Sequence, residues 1–163
     1  MAFSVILFLG TVLCALVAGL LFSFAVVIMP GLSNLGDREF IRAFQEIDGV
    51  IQRGQPLFGL VWLGSALALL VGAALGFGQL DGIDRVLFLM GTGLYLLGVQ
   101  LPTFVVNIPL NNALQNVDVD AGDEAILRSA REAFEDRWNR WNVFRTLIAS
   151  AVTVMLVFLV SRL

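Results

Sequence analysis

Histidine and lysine are both missing from this 163-residue chain, cysteine occurs once, and charged residues make up only 14% of it. Without lysine there is no Schiff-base amine and no phosphate-loop ammonium, which excludes pyridoxal chemistry and ordinary nucleotide hydrolysis. Without histidine an axial haem ligand, a histidine-rich zinc site and a conventional catalytic base or triad are also missing. The expectation is therefore no metal and no cofactor. Cys14 lies in an apolar run and reads as a small buried hydrophobe, and one cysteine makes neither an internal disulfide nor a CxxC pair. A formal charge of −3 with no basic patch argues against a nucleic-acid partner. Any chemistry must run on carboxylates, Arg, Asn, Trp or the substrate itself.

What is present is hydrocarbon. Hydrophobic residues reach 58% and the mean hydropathy is +0.88, whereas a soluble domain carries about a quarter charged residues. A chain this short cannot hide so much apolar surface in one soluble core. Four stretches, about 3–29, 57–77, 86–106 and 143–160, are long enough or nearly so to cross a bilayer, which takes about 20 residues of helix. The predicted fold is an all-α integral membrane four-helix bundle forming one domain over residues 1–163, with amphipathic or extended helices in the first and third connections. The first span has no basic leader and ends in Pro30-Gly31 rather than a cleavage signal, so it reads as a retained helix. Rows of small residues at four-residue spacing, Thr11, Ala15, Gly19 and Ser23 on the first span and Gly64, Ala68, Gly72 and Gly76 on the second, predict close helix contact.

The connections carry pattern. Phe40, Phe44, Ile47 and Ile51 fall at helical spacing with Arg38, Arg42, Glu46 and Asp48 between them. That describes either an amphipathic helix capping the bundle or one extending the core out of the bilayer. Further on, Leu127, Arg131, Phe134, Trp138, Trp141 and Arg145 alternate by four and three and run on through Ile148, Val152, Met155 and Leu159. This is the a/d stripe of one long helix that leaves the membrane. Both long connections share one side, with most of the arginines, against Arg85 and Arg162 on the other. The positive-inside rule predicts a multi-pass cell-membrane protein with the long connections cytoplasmic.

Three motifs stand at the bundle mouth: Pro30-Gly31-Leu32, Asn107-Ile-Pro-Leu-Asn-Asn112-Ala-Leu114, and Trp138-x-x-Trp141-Asn142-x-x-Arg145-Thr146. In this order, over nearly the whole chain, they resemble the bacterial membrane family of unknown function that includes the anthrone oxygenases. Where members commonly carry Asn in the first long connection, this chain has Asp48. The resemblance implies a membrane bundle and, as one activity, oxidation of anthrones by dioxygen with no bound metal or flavin. Such a reaction needs a base, donors for a developing oxyanion and a dry aromatic pocket. Candidate catalytic residues are Arg145 for the oxyanion and Asp48 or Glu46 as base. The candidate ligand-binding set is Asn107, Asn111, Trp138, Trp141, Asn142 and Arg145, with Phe134 as a further stacking face.

Each has a plainer role open to it: Trp anchors at membrane interfaces, Asn is interhelical glue, and a boundary Arg pairs with an acid or snorkels. The expected partners are membrane lipid and a hydrophobic, aromatic or quinone-like small molecule. The alternative is a non-enzymatic subunit of a larger membrane complex or a homo-oligomer; a transporter has less behind it, with no visible inverted repeat.

Overall fold

The computed structural model describes residues 2–162. Four helical rods, Ala2–Leu32, Pro56–Gly76, Gly82–Gln115 and Glu124–Val160, are each long and apolar enough to cross a membrane. The chain is a multi-pass all-α membrane bundle. Rod one comprises α1 (Ala2–Ser23), a π turn at Phe24–Ile28 and α2 (Met29–Leu32); α3 (Asp37–Gln52) lies outside the spans; α4 (Pro56–Gly76) is rod two. Rod three comprises α5 (Gly82–Tyr95), π turns at Leu96–Gln100 and Thr103–Asn107, and α6 (Ile108–Gln115); rod four is α7 (Glu124–Val160).

Proline explains the three π turns. Its ring has no N–H and collides with the carbonyl four residues back, so a regular α-helix cannot pass through it undisturbed. Here the residue before each interior proline donates five residues back: Met29 to Phe24, Leu101 to Leu96 and Ile108 to Thr103, just ahead of Pro30, Pro102 and Pro109. The widened turn makes room for the ring and lets the rod continue. Thus the third rod passes Pro102 and Pro109 and does not stop at the expected limit near 106. It runs as helix to Gln115.

Outside the spans α3 packs on α7 and α6. Phe40 and Phe44 meet Phe134 edge-on, and Phe44 also meets Trp138 edge-on, which makes α3 a cap on the bundle mouth. Ion pairs clamp its start: Arg38 to Glu124 at 2.9 Å, Arg42 to Asp120, and Arg131 of α7 to Asp37 at 3.1 Å. Asp48, expected among the polar positions, is buried on the packed face.

The two small-residue rows diverge. On α4, a Cβ at Gly72 would stand 2.8 Å from Phe88 and one at Gly76 2.7 Å from Phe3, so both glycines admit a neighbouring ring. On α1, Ala15 and Gly19 are exposed, and the packed face runs through Leu7, Gly10, Cys14, Val17 and Leu21 instead.

Candidate functional site

A cavity of about 340 Å³ lies at the capped end, between α1, α3, α4, rod three and α7. Its wall is mostly carbon, supplied by Phe24, Phe44, Phe58, Trp62, Phe104 and Trp138 among others. Polar atoms come from Asp48, Thr103, Asn107, Asn111, Asn142 and Arg145, with Gln52 and Asn112 at the outer end. Two of the π turns shape this wall, one carrying Phe24 and the other Thr103 to Asn107.

Arg145 sits on α7 with only 3% of its surface exposed. Counting back from Val160 at about 1.5 Å per residue puts it some 22 Å from the far end of the helix, inside a hydrocarbon layer about 30 Å thick. Among the described residues no carboxylate forms an ion pair with it. Its Nη1 donates to Thr103 Oγ1 at 2.7 Å and its Nη2 to Asn142 Oδ1 at 3.1 Å. Both acceptors are oriented by their own donations, Thr103 to the Val99 carbonyl at 2.7 Å and Asn142 Nδ2 to the Leu21 carbonyl at 3.0 Å. The guanidinium is therefore aimed by neutral groups that leave its charge uncancelled. Its Nε and the Oδ1 of Asn107, which is 2% exposed, have no protein partner. A buried cation costs several kcal/mol of desolvation that two neutral acceptors offset only in part.

Asp48 anchors a second polar group. Its Oδ1 accepts from Asn111 Nδ2 at 2.7 Å, and its Oδ2 from Gln52 Nε2 at 2.6 Å and Gln115 Nε2 at 3.0 Å. Asn111 Oδ1 in turn accepts from Trp138 Nε1 at 2.7 Å. An indole N–H only donates, so Trp138 fixes which end of the Asn111 amide faces the carboxylate. The chain Trp138, Asn111, Asp48 thus locks an indole face into the cavity wall and ties α7, α6 and α3 together.

Five of the expected ligand-binding residues, Asn107, Asn111, Trp138, Asn142 and Arg145, line this one cavity together with Asp48. Trp141 and Glu46 are not part of it. Trp141 lies edge-on to Phe144 with ring centres 5.5 Å apart, and Glu46 is exposed on the far face of α3. Phe134 packs behind the wall, stacked on Trp138. Sequence reasoning missed Thr103, Phe24, Trp62 and the two glutamines. Thr103 carried a signal, since it follows Pro102 directly and a proline inside an apolar run marks a turn where side chains are re-aimed. Trp62 carried none, being one large apolar residue among many. Its carbonyl is nonetheless held by side chains, accepting from Ser65 Oγ at 2.7 Å and from Gln100 Nε2 at 3.4 Å.

No group of three or more His, Cys, Asp or Glu side chains placed to hold a metal ion is found among the described residues. No curated protein and no solved structure matches this sequence. The family model described as anthrone oxygenase matches residues 48–155, from Asp48 of the cap to the transmembrane part of α7, and so takes in every polar group of the cavity. The chain belongs to the anthrone oxygenase family.

Proposed function

We propose that the cavity binds a hydrophobic, hydroxylated aromatic or quinone-like molecule and that the protein oxidises it with dioxygen without a bound metal or flavin. The observation that carries this reading is Arg145, a buried guanidinium that no acid among the described residues pairs with, in a wall rich in aromatic rings. An enolate or phenolate oxygen supplies the missing counter-charge, and the flat ring takes the face of Trp138.

Asp48 is the carboxylate on the cavity wall, and its three N–H donors leave one of about four lone-pair sites on the carboxylate open to receive a proton. In this reading Asp48 takes a proton from the reacting CH₂ group, and Arg145 holds the charge that moves onto the substrate oxygen. The electron-rich anion passes one electron to dioxygen and the two radicals combine to a hydroperoxide. Loss of water then leaves a carbonyl: one oxygen atom stays on carbon, and the other departs with both hydrogens.

Asp48→Asn separates this role from a structural one. Asn keeps an acceptor for Asn111, the Gln52 amide can turn to suit it, and Gln115 Nε2, which loses this acceptor, still donates to the Gln45 carbonyl at 3.0 Å, so the variant is expected to fold. Purified metal-free protein, given anthrones and hydroquinones under dioxygen, is expected to turn over with oxygen uptake matching product, and Asp48→Asn to lose roughly 100-fold or more. Absence of turnover across the panel removes the oxygenase and leaves the binding site.

We further propose the cell membrane as the location, with the long connections cytoplasmic, on the arginines at that end; Arg145 itself is inside the bundle and leaves that count. A second reading, a subunit of a larger membrane assembly or of a homo-oligomer, draws on the outward-facing Ala15 and Gly19, which allow another transmembrane helix to approach closely. Its sign is a partner chain that stays bound in gentle detergent.

A further inference from the structure

We infer that the ligand is an amphiphile, an acidic ring with a hydrocarbon tail that leaves the cavity sideways into the bilayer between α4 and the third rod. This rests on the binding reading above and specifies the substrate class of the same site.

The cavity has two unlike ends. Toward water, Gln52 donates to Asp48 Oδ2 at 2.6 Å and to Asn112 Oδ1 at 3.3 Å, so an amide bridge from α3 to α6 closes that side. Toward lipid, the wall includes Leu63 of α4 and Phe104 of the third π turn, and these keep 62% and 53% of their surface uncovered. A residue that is both cavity wall and outer surface marks an opening. Leu63 lies seven residues into α4, about 10 Å from its end at 1.5 Å per residue, which is hydrocarbon depth. One turn before Leu63 on α4, Gly59 also lines the cavity, and a Cβ there would meet nothing within 4 Å. α4 packs along α1 and on α5, the half of rod three beside their short turn, and its Trp62 carbonyl accepts from Gln100 Nε2 at 3.4 Å; at Phe104 and Ile108 the two walls face the cavity.

The volume and the polar atoms fix the rest. About 340 Å³ is near the lower end of ligand pockets, which run roughly 300–1,000 Å³, and suits a ring head alone. The Arg145 guanidinium, which no acid among the described residues pairs with, calls for a head bearing an anionic oxygen. A tail on such a head has one apolar way out, through the gap lined by Gly59, Leu63 and Phe104.

The test uses 2-hydroxy-1,4-naphthoquinone with a twelve-carbon chain ending in a photoreactive diazirine, and the full-length protein in phosphatidylcholine nanodiscs. Labelled residues are mapped by mass spectrometry, with unsubstituted 2-hydroxy-1,4-naphthoquinone as competitor. The expected result is labelling concentrated on 59–67 and 101–108, reduced at least fivefold by the competitor and by Arg145→Gln. Gly59→Phe, which fills open space, is expected to weaken the tailed probe more than the compact one. Labelling spread evenly over lipid-facing residues such as Val12, Val154 and Val157, or placed at Gln52 and Asn112, overturns the inference. If the compact ring binds while the tail labels in that way, only the amphiphile falls; if neither molecule binds, the binding reading falls with it.

Discussion

Arg145 decides what kind of site this is. An arginine kept for architecture at a membrane boundary pairs with a neighbouring acid, and its removal leaves a buried charge without its partner. Among the described residues Arg145 donates only to Thr103 and Asn142, each already engaged elsewhere, and its guanidinium stands 5.9 Å from the Trp138 ring centre. Replacing it with Met removes a desolvated cation of similar length and leaves two acceptors, Thr103 Oγ1 and Asn142 Oδ1, without that donor. Relief of several kcal/mol of charge burial outweighs about 2 kcal/mol for the two lost bonds. The thermal midpoint of Arg145→Met in detergent is therefore expected to equal or exceed the parent's, while affinity for an acidic ring falls at least tenfold, as loss of a charge-assisted bond of about 1.5–3 kcal/mol implies. A large drop in the midpoint would mean that the guanidinium holds the bundle together. Asp48 and Trp138 follow the opposite rule. Trp138→Phe leaves Asn111 Oδ1 without its donor, and roughly 1–3 kcal/mol of stability should go with it, read as a fall in the same midpoint.

At the level of single helices, long periodic elements were legible in the sequence and the fine heading of their faces was not. The stripe through Leu127, Phe134 and Trp138 is buried as expected, but beyond Trp138 the buried row passes to Asn142, Arg145, Ala149, Val152, Leu156 and Leu159, leaving Trp141 and Ile148 at its edge. A strict seven-residue repeat drifts about 20° per heptad on a straight helix. Over the 37 residues of α7 that drift exchanges Trp141 for Asn142. The π turns were hidden for a related reason: proline signals a disturbance but not whether the helix stops, kinks or widens. In hydrocarbon a broken helix leaves backbone N–H and C=O groups with no water to bond, so continuing the helix with a wider turn costs less than ending it. Packing between rods makes glycine positions unequal. A Cβ at Gly98 would sit 2.9 Å from Ile148 Cγ2 and force rod three off α7, whereas Gly19 meets nothing within 4 Å. Gly98→Ala is expected to cost about 1–3 kcal/mol by overpacking, and Gly19→Ala to be neutral or to gain up to about 1 kcal/mol from helix propensity. Unfolding midpoints of the two variants, measured side by side, check this.

For the molecule as a whole, class and span number followed from composition, while the site needed three elements far apart in sequence to meet. Asp48 arrives on the cap, Asn107 and Asn111 on the third rod, Asn142 and Arg145 on the fourth, and the spacing within any one of them says nothing about the others. Family membership covers this assembly from Asp48 onward, and the cavity at its centre joins a lone guanidinium to aromatic walls and a side open to lipid. The direct test is a structure of the protein in lipid with 2-hydroxy-1,4-naphthoquinone present. The account predicts the ring against Trp138 with an oxygen in hydrogen-bond contact with Arg145, and Asp48 still held by Asn111. A closed interior with Arg145 joined to an acidic side chain, or the ring found only on the outer surface, would contradict it.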